Sequence, residues 1–387
     1  MFGEATMSDA ERIEPSSVEL PRSDLIRAIR GAAEVVDEAG ALTPLRLPRW
    51  VRAQQSDSII ETMASTSAGV RVVLEGSASA VELELDIERL PRDNQEPWPA
   101  SIVATVGGVV VDTVSVDDAI GARVILDLSG EAARGLDGRL EIWLPHTARV
   151  GLRRVWSNGP LSVSNQQEDR LWLHHGSSIS HSLEADDPVT RWTAQVARAH
   201  NLSLTDMGFA GEALLDPFVA RVIAATKADV ITLKLGINIV NCGGMIPRTF
   251  GPALHGFLDI IREGHPHTPV VVISPILCPP HEMNPGPTLV GSSGFHGRNP
   301  DPEEDALDLR RVREIIADVV RIRAASDYNL AYLDGRELLG VGPGDAALLP
   351  DLLHPDQAGM NLMATRFSAA LGELLSGASD ATTPTDS

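Results

Sequence analysis

The sequence predicts two domains, an all-β sandwich followed by an α/β domain on a parallel sheet. Three observations carry that expectation. Residues 20–160 hold short apolar runs that tend to alternate with polar residues, broken by Gly, Pro, Asn and Asp. From about Arg170 onward, strand-like and helix-like patterns take turns. The length of 387 residues leaves room for two domains of ordinary size, roughly 100–200 residues each.

The elements follow in chain order. Residues 1–19 carry acids and no apolar h-region, so they read as a flexible segment rather than a secretory signal. A helix is expected near Ser23–Glu38. Val70–Leu74, Val81–Leu85 and Leu140–Leu144 alternate as strands with one buried face do, whereas Val124–Leu128 alternates only at its end and reads as a more buried strand. Pro91–Asn94 and Gly107-Gly108 punctuate them as turns. Many short strands with frequent turns argue for a jelly-roll-like sandwich over residues 20–164.

The second domain is expected over residues 165–376. Leu171–His175 is a short strand ending at a Gly-Ser turn. Asp187–His200 has helical spacing, with Trp192, Val196 and Ala197 on one face. Leu202–Phe209 follows as a strand, Glu212–Ala225 as a helix, Ala228–Gly236 as a strand and Phe250–Glu263 as a helix. Thr268–Ile276 is the most apolar strand, Asp305–Ala325 a long helix, Leu330–Leu333 a last strand and Pro355–Leu375 a closing helix. Unalternating strands alternating with helices imply a parallel sheet covered on both faces. Residues 377–387 read as a disordered tail. Between Cys278 and Glu304 lie six prolines and four glycines without periodicity. A connection of that kind after a parallel strand starts at the sheet edge where ligands bind.

Composition narrows the function. Hydrophobic residues make up 43% and charged residues 22%, ordinary globular values. Fifty-three Asp and Glu against 32 Lys and Arg give a formal charge of −21, which argues against nucleic acid or anionic membranes as partners. No stretch approaches the ~20 apolar residues of a membrane span. Two cysteines, Cys242 and Cys278, form no disulfide framework; they read as free, mostly buried thiols and suit a cytoplasmic location. His174, His175 and His181 fit no zinc spacing, so the expectation is no metal, with the three either supporting residues of the site or lying on the surface.

Four segments carry chemistry. The first three directly follow expected strands, and the fourth follows the last strand after a loop. They are His175-Gly176-Ser177-Ser178, Met207-Gly208-Phe209-Ala210-Gly211, Leu235-Gly236-Ile237-Asn238 and Asp351-Leu352-Leu353-His354-Pro355. A serine hydroxyl needs a base, and an imidazole near its ordinary pKa of ~6.5 supplies one. Asp351, three residues before His354, is placed to accept the other ring N–H. Pro355 suits the first turn of the closing helix. Singly, each has a plainer reading: Ser178 as a turn serine, Asp351 as a helix cap, Asn238 as the end of a strand, Gly211 as a turn. Their agreement in order and position favours the chemical one. The absence of Gly-x-Ser-x-Gly around Ser178 argues against an α/β-hydrolase elbow.

In order and spacing these segments resemble the four blocks of the SGNH (GDSL) hydrolase superfamily, over roughly residues 170–375. The alternating block before them looks like the β-sandwich that precedes this domain in a subgroup of bacterial esterases. The resemblance implies a flavodoxin-like three-layer domain and a triad of Ser178, His354 and Asp351. It also implies an oxyanion hole made by the Ser178 and Gly211 N–H groups and the Asn238 amide. The reaction implied is hydrolysis of a carboxylic ester, of a polar small molecule or an acylated sugar, through an acyl-enzyme and without a cofactor. The same residues allow an acyltransferase or thioesterase; a reading of another class is a non-catalytic carbohydrate-binding protein on this scaffold. Two positions depart from the family pattern. Ser177 stands where Gly-Asp-Ser has its aspartate, and Ile239 follows Asn238 where an aspartate is usual. The sequence sets no oligomeric state.

Overall fold

The protein is described here from a computed structural model, which covers residues 17–54, 58–92, 95–130, 139–164, 170–291 and 294–380. The expected domain boundary at 164/165 and most of the expected flexible ends fall on residues outside these.

The N-terminal domain is two antiparallel sheets sharing one apolar core. In the first, the strands run in the order Glu34–Glu38, Ala41–Leu45, Ala148–Ser157, Ala80–Arg89, Ala119–Asp127, and Val18–Glu19 pairs with Ala148–Ser157. In the second the order is Leu161–Val163, Arg71–Gly76, Arg139–Trp143, Ala100–Val106, Val109–Val116, and Ile29–Arg30 pairs with Arg71–Gly76. Period-two patterning explains the packing. Val81, Leu83, Leu85 and Ile87 of one sheet and Leu140 and Ile142 of the other all enter the core.

The helix expected at Ser23–Glu38 is corrected. It spans only Arg22–Ala28. Gly31 then takes φ +83°, and the β-branched pair Val35-Val36 enters a strand. Ala39 and Gly40, at φ +50° and +84°, turn that strand back onto Ala41–Leu45. Two consecutive positive φ values in a two-residue loop suit the right-handed twist of a hairpin.

The C-terminal domain has a five-stranded, wholly parallel sheet: Leu202–Gly208, Arg170–Gly176, Val230–Lys234, Val270–Ile273, Leu330–Leu333. In chain order this is 2-1-3-4-5, the flavodoxin-like arrangement. Successive residues point to opposite faces, and both faces are buried. Leu173, Met207, Leu233 and Val272 meet the helices Pro217–Ala225, Pro247–Gly264 and Leu309–Arg323 on one side. Trp172, Leu204, Val230 and Val271 meet Trp192–Ala199 and Gln357–Asp380 on the other.

Other helix expectations shift: those from Asp187 and Asp305 start at Trp192 and Leu309. The helix expected from Glu212 starts at Pro217, because Gly211 and Leu215 take φ +81° and +63° and hold residues 209–216 as a loop. The closing helix starts at Gln357 rather than Pro355, capped by Asp356, whose carboxylate accepts the Gly359 N–H at 2.8 Å. It runs to Asp380, past the expected Leu375 and into the expected tail. The 278–304 connection is not structureless. It contains a 3₁₀ turn at Pro279–His281 and a small hairpin, Leu289–Gly291 with Gly294–His296. Among the described residues no helix is long and apolar enough to cross a membrane.

The two domains are joined along the edge strand Leu202–Gly208. One side of that strand has no sheet partner, so alternate carbonyls point outward. Two buried arginines of the sandwich side accept this role. Arg71 donates to the Leu204 carbonyl at 3.0 Å, and Arg46 donates to those of Asp206 at 3.3 Å and Gly208 at 2.6 Å. Leu47, Val51, Ile60 and Ala64 also pack into the C-terminal domain's core.

Candidate active site

Ser178 leaves the C-terminal end of the first parallel strand, Arg170–Gly176. Its neighbours on the sheet are strands two and three in chain order, reached on opposite sides, so Ser178 sits at the topological switch point. Glycines make the exit possible. A side chain at Gly176 would strike Ser180 Oγ at 2.2 Å, and one at Gly208 would strike the His181 nitrogen at 2.5 Å. The helical turn Ser178–His181 therefore rests directly on two strand ends.

A buried polar network holds that turn. Arg191 donates to the carbonyls of His181 and Ser180 at 2.9 and 3.0 Å and to the Asp206 carboxylate at 2.5 Å. Asp206 also accepts from Thr193 Oγ1 at 2.8 Å and from the Gly208 N–H at 2.7 Å. Burial raises the Asp206 carboxyl, but Arg191 and its other partners outweigh that and leave it below the usual carboxylate range. His174 bridges Thr232 and Ser180, both at 2.7 Å, and His175 meets the Met207 carbonyl at 2.8 Å. His181 Nε2 lies 3.0 Å from Thr66 Oγ1 and 2.9 Å from the His146 carbonyl, across the domain boundary. Burial pushes His174 down to about 3, His175 to about 4 and His181 well below its ordinary value. All three are buried, neutral posts of the scaffold, which corrects the surface role considered for them.

The structure brings Ser178, His354 and Asp351 into one hydrogen-bonded chain. Ser178 Oγ is 2.9 Å from His354 Nε2, and His354 Nδ1 is 2.7 Å from Asp351 Oδ2. Asp351 Oδ1 accepts the N–H groups of Leu353 and His354 at 2.9 and 2.7 Å. The aspartate thus folds its own loop as well as meeting the imidazole, with Leu352 at φ +69° making the bend. Burial alone would lower the His354 pKa; the Asp351 hydrogen bond and the charges of Glu184 and Asp351 outweigh it and raise it. Burial likewise raises Asp351, yet its hydrogen bonds and the facing imidazole hold it below the ordinary value.

The remaining expected residues lie on the neighbouring strand ends. Asn238 is buried, in the turn Ile237–Asn241 that begins at Gly236, φ +112°. Its Oδ1 accepts the Ala213 N–H at 3.0 Å, which fixes the amide orientation and leaves Nδ2 as its donor. That contact also ties the Gly211 loop to the Asn238 turn. Gly211 takes φ +81° with open space where a side chain would stand. The Ser178 N–H opens a helical turn and has no intrahelical acceptor.

Reasoning from sequence missed three contributors. Glu184 Oε1 lies 3.7 Å from His354 Nδ1. Phe295, on the 278–304 hairpin, sets its ring edge-to-face on His354, centroids 6.5 Å apart. Arg46 reaches Gly208 from the other domain. None carries a local motif. The cysteines also differ from expectation: Cys278 is buried but Cys242 is exposed, and both are free.

Residues 175–362 match the family model of the GDSL-like lipase/acylhydrolase family. No curated protein matches the chain. Among solved structures, a salicylyl-acyltransferase, SsfX3, from a tetracycline biosynthetic pathway is 27% identical, with a TM-score of 0.78, covering 92% of this chain and 98% of its own. A family two carbohydrate esterase from Clostridium thermocellum, solved with cellohexaose, is 16% identical with a TM-score of 0.56, covering 79% and 92%. An acetyl xylan esterase, Est2A, from Butyrivibrio proteoclasticus is 12% identical with a TM-score of 0.55, covering 93% and 98%. The last two are likenesses of fold.

Proposed function

Because residues 175–362 form a GDSL-like lipase/acylhydrolase domain, we propose that this chain is a serine esterase that cleaves a carboxylic ester through an acyl-enzyme. The observation that carries the reading is the Ser178–His354–Asp351 chain at the sheet's switch point. Ser178 Oγ attacks the ester carbonyl and gives its proton to His354 Nε2. Asp351 holds the Nδ1 proton and the imidazolium that forms. The Asn238 amide and the Ser178 and Gly211 N–H groups take the developing oxyanion. The intermediate collapses, the alcohol leaves with the proton from His354, and an acyl group stays on Ser178. Water, deprotonated by His354, then releases the acid.

The substrate proposed is an ester, of short acyl or acetyl type, of a polar small molecule or a sugar. Its support is the shared two-domain architecture with carbohydrate esterases. A second reading, transfer of the acyl group to an alcohol other than water, is favoured by one observation: the 27% identity to an acyltransferase extends over 92% of this chain.

The test is intact mass after incubation with a fluorophosphonate, on wild type and Ser178→Ala. Stoichiometric labelling of wild type alone supports the triad. No labelling of a folded wild type removes it. An acyl-ester panel with and without added alcohols then separates hydrolysis from transfer, which requires the acceptor for product.

A further inference from the structure

We infer that Glu184 is a positioning residue for His354, a second carboxylate that shares with Asp351 the task of holding the imidazolium. The inference rests on the triad reading above. Glu184 lies six positions after Ser178 in sequence, on the loop that follows the nucleophile's turn, where Ser182 reverses the chain at φ +58°. Asp351 comes from the opposite end of the domain, on the loop before the closing helix. The two carboxylates therefore approach the same ring nitrogen from independent elements, at 3.7 Å for Glu184 and 2.7 Å for Asp351.

The state of Glu184 needs a reason. Its Oε2 is buried and makes no hydrogen bond among the described residues. A buried carboxylate oxygen without a donor is destabilising. A cation that appears only during turnover would supply what the resting site lacks. The charged and titratable groups facing the pair are few. His354 meets Ser178, Asp351 and Glu184, with the Phe295 ring on its remaining side. Glu184 feels His354 and Asp351 and, from the sandwich domain, Arg92, whose guanidinium stacks on Trp98 at 4.2 Å. Burial raises the Glu184 carboxyl, and the facing His354 opposes that rise. Protonating His354 is thus favoured by ionised Glu184, and ionising Glu184 by protonated His354.

Two measurements test this. The first is a pH titration of the His354 ring by NMR on full-length protein with labelled histidine, in wild type, Glu184→Gln and Glu184→Asp. The expected result is a titration shifted to lower pH in Glu184→Gln, with the shorter Glu184→Asp between it and wild type. The second is kcat for Asp351→Asn, Glu184→Gln and the double variant. Losing the aspartate of a triad ordinarily costs about 10⁴ in kcat. With Glu184 in place, Asp351→Asn is expected to lose only about 10²-fold, and the double variant about 10⁴-fold. An unchanged His354 titration in Glu184→Gln, or a double variant no slower than Asp351→Asn, overturns the inference. Failure of the esterase reading would show differently, as absent fluorophosphonate labelling while the His354 titration still shifts.

Discussion

Ser178 Oγ and His354 Nε2 stand 2.9 Å apart although 176 residues separate them in sequence. A general base works only when neutral, and the pKa of His354 is raised above its ordinary ~6.5, chiefly by Asp351 and Glu184 acting against burial. The acid limb of kcat/KM is therefore expected to be centred above pH 6.5, with activity falling as pH drops through that point. A pH–rate profile on any accepted ester checks it; an acid limb below pH 6.5 contradicts it.

Stability is expected to respond to acid through other histidines. His146, His174, His175 and His181 are buried and neutral, with pKa values pushed to about 3, about 3, about 4 and well below normal by burial. Their folded values lie below the unfolded ~6.5, so the unfolded chain binds more protons in between. The stability they contribute is present above pH 6.5 and lost as pH falls. His354 has the opposite sign, contributing most below pH 6.5. His281 is lowered too, so the lowered histidines outnumber the raised one and the protein is expected to lose several kcal/mol between pH 7 and pH 5, on the order of 1.4 kcal/mol per pH unit for each. Urea unfolding midpoints at pH 7, 6 and 5 measure this, and a constant midpoint refutes it.

Asn238 offers a cleaner test of transition-state stabilisation. Its Oδ1 is engaged by the Ala213 N–H at 3.0 Å, so its amide is held rather than free to rotate. Asn238→Ala is expected to lower kcat by about 10²–10³ with little change in KM, as for loss of one oxyanion donor. Asn238→Asp is expected to be no better, since a carboxylate brings no donor. A change confined to KM would assign Asn238 to substrate binding instead.

Gly208 makes a different prediction, because it lies directly against the turn that carries Ser178. A methyl group there would meet backbone atoms of the turn that carries Ser178, the His181 nitrogen at 2.5 Å and the Ser180 carbonyl carbon at 2.7 Å. The turn must move, and with it Ser178. Gly208→Ala is expected to reduce kcat by 10-fold or more while costing about 1–3 kcal/mol, measured by kinetics and thermal unfolding together. Loss of stability at full activity would show that the turn tolerates the displacement.

The parallel domain was legible because its strands are buried on both faces and its helices are long enough for the 3.6-residue period to show. Leu330–Leu333 matches residue for residue. The approach of Ser178, His354 and Asp351 was legible because Asp351 and His354 share one loop and Ser178 follows a strand. The N-terminal hairpin was not. Residues 23–38 carry helix formers, and the decisive signals are two backbone conformations, at Gly31 and at Ala39-Gly40, that residue type alone does not reveal. Glu184, Phe295 and Arg46 were hidden for another reason: each acts through a contact made only by tertiary packing.

The arginine seam has a consequence for how the molecule comes apart. Leu204, Asp206 and Gly208 direct carbonyls at Arg71 and Arg46, and those guanidinium groups are buried with them. Pulling the halves apart would break these bonds and expose the apolar surface that Leu47, Val51, Ile60 and Ala64 now bury. Denaturation should consequently run as one cooperative event, with a single heat-capacity peak and coincident loss of fold and activity. Two architectures in one chain are thus expected to melt as one unit.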